Sequence, residues 1–352
     1  MRSFTALPLW IGAFLFLSVF VSYAQAQPLS PAATRAAFLK LIERPLVPLA
    51  PETQPREMPT GMQQWHFTYA TEAGQRVPGL LVKAASGPTR RPVVIVLHGT
   101  GGTKEGVLDW LQELAAQGFI GVAIDGRYHG ERTKAGKGST EYSAALLRTY
   151  RTRQEHPFLY DTVWDVMRLL DYLATRPDVE PQRIALLGIS KGGMETYLTA
   201  AVDPRVAVAV PFIGVQSFRW ALENNAWQSR VGTFQDAVNA AAQDEGVTEI
   251  NAAFVRRFYE RVMPGIADRF DGPQMVPLIA PRPLLVINGE IDPRTPMPGL
   301  AQCIEKTRTA YKQAQAEDKF VFQVQPKTGH TVTKEARQQA WVFLQKWLSP
   351  QL

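Results

Sequence analysis

The chain has 352 residues, 45% of them apolar and 20% charged, a balance that excludes a disordered polymer and leaves ample material for one large core. Its 38 Lys and Arg exceed its 32 Asp and Glu by six, but the basic residues are scattered, so a nucleic-acid surface is not expected. The single cysteine, Cys303, excludes an intramolecular disulfide and any cysteine-based metal cluster.

Residues 1–26 have the make-up of a signal peptide. Arg2 gives a positive start, 7–21 is almost wholly apolar, and Ala24-Gln25-Ala26 is a small-residue cleavage signal before Gln27. The apolar run is shorter than the ~20 residues of a spanning helix. An exported protein, periplasmic or secreted and without stable membrane association after cleavage, is therefore expected. Residues 27–60 are rich in proline and predict an extended arm on the domain surface, with one helix over 32–43.

The main domain is expected over 61–352. Residues 64–83 predict a hairpin turning at Gly74, placed at a sheet edge. Residues 93–97, Val-Val-Ile-Val-Leu, predict a strand buried on both faces. A helix over 105–117, ended by Gly118, leads to a strand over 119–124. Helices are predicted over 142–153 and 158–174, then a strand over 184–187, a helix over 194–202 and a strand over 206–212. About 70 residues precede the next strand, 284–287. That interval carries Phe218, Trp220, Trp227, Phe234, Phe254, Phe258, Tyr259 and Phe270. It predicts a helical insertion over about 214–280, its aromatics either filling its own core or standing beside the active site. A helix over 304–316, a strand over 319–324 and a helix over 332–348 complete the chain. About eight strands alternating with helices predict an α/β fold with a mostly parallel sheet covered on both faces.

The chemistry centres on Gly188-Ile189-Ser190-Lys191-Gly192, set between a buried strand and a helix. This is the setting of a nucleophile elbow, in which a sharp turn lifts the serine above the sheet. A serine hydroxyl needs a base, and the base an orienting acid. His330, in Gly329-His330 after the last strand, is the expected base. Asp292 is the expected acid, with Glu290 as the alternative on the same loop. The oxyanion of a tetrahedral intermediate is expected to meet the backbone N–H groups of Lys191 and Thr100, with Gly101 beside them. Arg127 and His129, on the loop after 119–124, are expected either to touch substrate or to brace that loop through Asp125 or Glu131. His98 is expected to be structural. No cluster of His, Asp or Glu has metal-ligand spacing, so neither metal nor cofactor is expected.

With His98-Gly99-Thr100-Gly101-Gly102, the Ser190 elbow, Gly289-Glu290-Ile291-Asp292 and Gly329-His330 in that order, each after a strand, the chain resembles the α/β-hydrolase superfamily over roughly residues 64–350. It is most similar to the branch of dienelactone hydrolases and acetyl xylan esterases, which is related to prolyl-oligopeptidase-type catalytic domains. The resemblance implies a serine hydrolase cleaving carboxylic esters through an acyl-enzyme, with a small-molecule or carbohydrate ester as substrate and acyl groups on plant polysaccharide among the candidates. Serine stands where dienelactone hydrolases typically carry cysteine. Peptide cleavage by the same residues, and a non-catalytic binding protein built on this fold, are the alternatives. Nothing in the sequence specifies an oligomeric state.

Overall fold

The computed structural model describes residues 29–58, 61–134 and 138–349. The expected signal segment lies outside the described residues. Nine strands form one sheet: β1 (Glu52–Arg56), β2 (Met62–Glu72), β3 (Gln75–Ala84), β4 (Arg91–Leu97), β5 (Ile120–Ile124), β6 (Val179–Ile189), β7 (Val206–Phe212), β8 (Leu284–Gly289) and β9 (Phe320–Gln325). Their order is β1-β2-β3-β5-β4-β6-β7-β8-β9. β1 to β3 are antiparallel to their neighbours, and β5 to β9 run parallel through β4. The ninth strand, absent from the expected eight, is β1. It comes from the proline-rich arm and pairs Glu52 to Thr68 and Arg56 to Gln64. The 62–84 hairpin is therefore covered, not placed at the edge. Pro55 is tolerated in β1 because an edge strand does not need every N–H.

The helices are α1 (Pro31–Ile42), α2 (Leu108–Ala116), α3 (Gly138–Thr152), α4 (Tyr160–Thr175), α5 (Lys191–Val202), α6 (Phe218–Glu223), α7 (Gln228–Val231), α8 (Gln235–Asp244), α9 (Ala252–Val262), α10 (Gly272–Met275), α11 (Met297–Gln313) and α12 (Lys334–Leu348). Alternation along β4 sorts its side chains between two cores. Val93, Ile95 and Leu97 join the cluster under α1, α4, α5 and the insertion, while Val94 and Val96 join the one under α2 and α12. Each such fully buried aliphatic side chain contributes about 1.5–3 kcal/mol.

Helices α6 to α10 are the insertion between β7 and β8. Its buried aromatics pack on one another and on the main body. Phe234 lies 5.8 Å from Phe258 and 4.9 Å from Phe158, and Phe270 lies 5.1 Å from Phe38. They are core residues. The strand order reverses at β4, which lies between β5 and β6. In parallel sheets such a reversal opens a crevice beyond the carboxyl ends of the strands. The loop after β4 and the turn after β6 meet at that crevice.

Candidate active site

The turn between β6 and α5 is built around close backbone approach. A Cβ on Gly188 would stand 2.1 Å from the Gly192 carbonyl oxygen, and one on Gly192 would stand 2.2 Å from that of Leu97. Ser190 takes φ 57° and ψ −110°, a conformation costly for a residue with a side chain, and its N–H donates to the Phe212 carbonyl at 2.9 Å. The strain is held by neighbouring strands and aims Oγ away from the sheet.

Three chain segments converge there. Ser190 Oγ lies 2.8 Å from His330 Nε2, and His330 Nδ1 lies 2.8 Å from Asp292 Oδ2. The Asp292 Oδ1 atom accepts the Arg294 N–H at 2.8 Å. Burial raises the Asp292 pKa, but the hydrogen bond and charge of His330, with the Arg294 N–H and Thr295, outweigh it and leave the carboxyl below its ordinary value. The Asp292 side chain is buried. Glu290 is turned elsewhere: its Oε2 accepts the Lys327 N–H at 2.7 Å. This arrangement can take a proton from a hydroxyl and hold the resulting imidazolium against a carboxylate.

Thr100 lines the same cavity as Ser190 and His330, a cleft of about 360 Å³ that also touches Trp110, Ile213 and Arg294. The Thr100 N–H makes no hydrogen bond among the described residues. Lys191 is the first residue of α5, so its N–H has no acceptor inside the helix. Among the described residues neither donor has an acceptor. Gly101 follows at φ +77°, a conformation that suits glycine, and stands outside the cavity wall.

Arg127 and His129 do not line this cavity. Arg127 is buried and donates to both carboxylate oxygens of Asp165, at 2.9 and 3.0 Å, and to Glu72. Its partners are therefore not Asp125 or Glu131: the buried Lys104 takes Asp125 at 2.8 Å and Glu131 at 2.6 Å, and His66 lies 3.0 Å from Glu131. His129 is fully buried, with Nδ1 2.7 Å from the Arg127 carbonyl. His98 Nε2 accepts the Gly126 N–H at 3.1 Å, so the His98 proton sits on Nδ1 and is donated to the Gly99 carbonyl at 2.8 Å. Burial, then the nearby Lys191 charge, pushes His98 down to about 3 and His129 down to about 2. Both rings are neutral braces behind the site.

Three features of the site lie beyond what the sequence led us to expect. The Lys191 side chain folds inward to a buried ion pair with Glu195 at 2.5 Å, which the i,i+4 spacing on α5 permits. Trp110 forms a wall of the cavity, held 5.6 Å from Trp341 and 5.7 Å from Phe212. Arg230, from the insertion, is buried and donates to the Arg294 carbonyl at 3.1 Å. Nothing local in the sequence pairs α7 with the loop that carries Asp292. Among the described residues no group of three or more His, Cys, Asp or Glu is placed to hold a metal ion.

The family model described as acetyl xylan esterase (AXE1) matches residues 39–242. YtaP of Bacillus subtilis is 28% identical over 288 residues, covering 78% of this chain and 84% of that protein. The crystal structure of acetyl xylan esterase 1 from Thermoanaerobacterium sp. superposes with a TM-score of 0.67 at 19% identity, over 92% of this chain and 95% of that one. A glucuronoyl esterase from Solibacter usitatus superposes with a TM-score of 0.57 at 13% identity, over 88% and 91%.

Proposed function

The chain belongs to the acetyl xylan esterase family, and from that premise we propose that it is an exported serine esterase that removes acyl groups from carbohydrate through an acyl-enzyme. The observation that carries this reading is the unbroken chain of contacts, 2.8 Å and 2.8 Å, from Ser190 Oγ through His330 to Asp292. Ser190 Oγ attacks the ester carbonyl carbon while its proton passes to His330 Nε2. Asp292 stabilises the imidazolium and keeps the ring oriented. The carbonyl oxygen, now negative, is received by the Lys191 and Thr100 N–H groups. The C–O bond to the sugar breaks, and the leaving oxygen takes the proton from His330. Water then enters by the same route, with His330 again the base, and releases the acid.

Because the cleft is open and modest in volume, a short acyl group on a large alcohol suits it. Esterase membership favours ester over peptide chemistry. Export rests on the sequence of residues 1–26, which makes Gln27 the first residue of the mature chain. Among the described residues no helix is long and apolar enough to cross a membrane.

The test is acetate release from acetylated xylo-oligosaccharides by wild type and Ser190→Ala. In subtilisin, loss of the triad serine lowers turnover by about 10⁶. Acetate release confined to wild type is expected; equal release by both proteins overturns the mechanism.

A further inference from the structure

Arg294 is the permanently charged side chain in the wall of the Ser190 cavity. It is exposed, and among the described residues its guanidinium has no hydrogen-bond or ion-pair partner. Many other arginines differ: Arg127, Arg132, Arg168, Arg176 and Arg205 each meet a carboxylate. The Arg294 backbone is nevertheless fixed at both ends. Its N–H donates to Asp292 Oδ1 at 2.8 Å, and its carbonyl accepts from Arg230 Nη2 at 3.1 Å.

Arg230 adds a second positive charge behind the first. It is only 2% exposed, has no carboxylate within ion-pair distance among the described residues, and shares its Nη2 between Arg294 and Gln216 Oε1. Among the described residues its Nε has no hydrogen-bond partner. The carboxylate of Asp292 is already engaged by His330 and the Arg294 N–H. The two guanidinium groups thus leave one side of the cleft positive, with a planar two-donor fork at its surface. A guanidinium of this kind matches a carboxylate in a bidentate contact.

We propose that Arg294 is a specificity residue that binds a carboxylate on the sugar side of the substrate, so that the enzyme prefers acyl esters of glycans bearing uronic acid groups. The inference rests on the esterase reading above. An acetyl group carries no charge, which assigns the carboxylate to the alcohol portion of the ester.

Binding separates this inference from catalysis. The full chain carrying Ser190→Ala is titrated by calorimetry with acetylated xylo-oligosaccharides that bear or lack a glucuronate side group. The acidic ligand is expected to bind about tenfold tighter, the size of a charge-assisted contact weakened by exposure to solvent. The preference should vanish in Ser190→Ala/Arg294→Gln, survive in part with Arg294→Lys, and shrink as salt screens the pair. Equal affinities for the two ligands, no measurable binding of either, or a preference that outlives Arg294→Gln overturns the proposal. In the wild-type protein, faster cleavage of a 4-nitrophenyl hemisuccinate than of the acetate, with no preference among the sugars, would move the carboxylate to the acyl side and overturn the assignment to glycan. Failure of wild type to cleave any ester would instead overturn the esterase reading, and the binding result would still decide the role of Arg294.

Discussion

Replacing His129 by glutamine should flatten the acid limb of the stability curve. The ring is fully buried, 5.1 Å from that of His98 and 4.8 Å from that of Tyr142, and among the described residues its Nε2 has no hydrogen-bond partner. Burial, Lys191 and His98 together lower its pKa to about 2 in the folded protein, against 6.5 as the ordinary value. Between these values the folded state holds His129 neutral while the unfolded chain protonates it. The unfolded state then binds more protons, so stability is fully present above pH 6.5 and declines as pH falls below it. The slope is about 1.4 kcal/mol per pH unit for one such group, or about 2 kcal/mol by pH 5. His98, lowered to about 3, adds a slope of the same sign. Asp271, raised by burial to about 6, acts in the opposite sense. Both remain in the variant and cancel in the comparison. Near pH 7, His129→Gln should be less stable than wild type by about 1–3 kcal/mol, because the ring's packing is lost. Urea unfolding followed by tryptophan emission at pH 7, 6 and 5 measures the difference. The gap should close by about 2 kcal/mol between pH 7 and pH 5. Parallel curves would show that His129 is not held neutral by the fold.

Three further single substitutions and one double variant probe the site and its support. Asp292→Asn should lower kcat on 4-nitrophenyl acetate by about 10⁴, as loss of the orienting carboxylate does in other triads. Glu290→Gln, which alters only the acceptor of the Lys327 N–H, should stay within about threefold, and a reversed ranking would make Glu290 the acid. Lys191→Met leaves the buried Glu195 without its cation, and urea unfolding should show a loss of about 3–5 kcal/mol. Lys191→Met/Glu195→Leu should recover most of it, so a double variant no better than the single one would show that the ion pair is not the cause.

The parallel core was legible because β4, β6, β7 and β8 each contain a continuous run of buried residues, mostly apolar, bounded by turn residues. The segments bearing Ser190 and Asp292 stood out because each follows such a strand, while His330 stood out by following the last strand, β9, which is only partly buried. β1 left no comparable signal. All five of its residues are exposed, one is proline, and the strand exists only through pairing with β2. Helix α11 begins at Met297, where the sequence suggested 304, because Pro298 and Gly299 look like loop residues. Proline is tolerated in a helix's first turn, where N–H groups have no helical acceptor. Helix α5 begins at Lys191 for a related reason: its two glycines are poor helix formers, but the elbow requires them. The partners of Arg127 escaped because Asp165 and Glu72 lie 38 and 55 residues away. Arg230 reaches the Asp292 loop across 64 residues for the same reason.

The proposed mechanism requires Ser190 to be the nucleophile. Incubating the protein with a fluorophosphonate and locating the adduct by peptide mass mapping tests this role of Ser190. One adduct is expected, on the peptide containing Ser190, together with loss of 4-nitrophenyl acetate turnover and no labelling of Ser190→Ala. An adduct on another residue, or ester turnover that persists in Ser190→Ala, would contradict it.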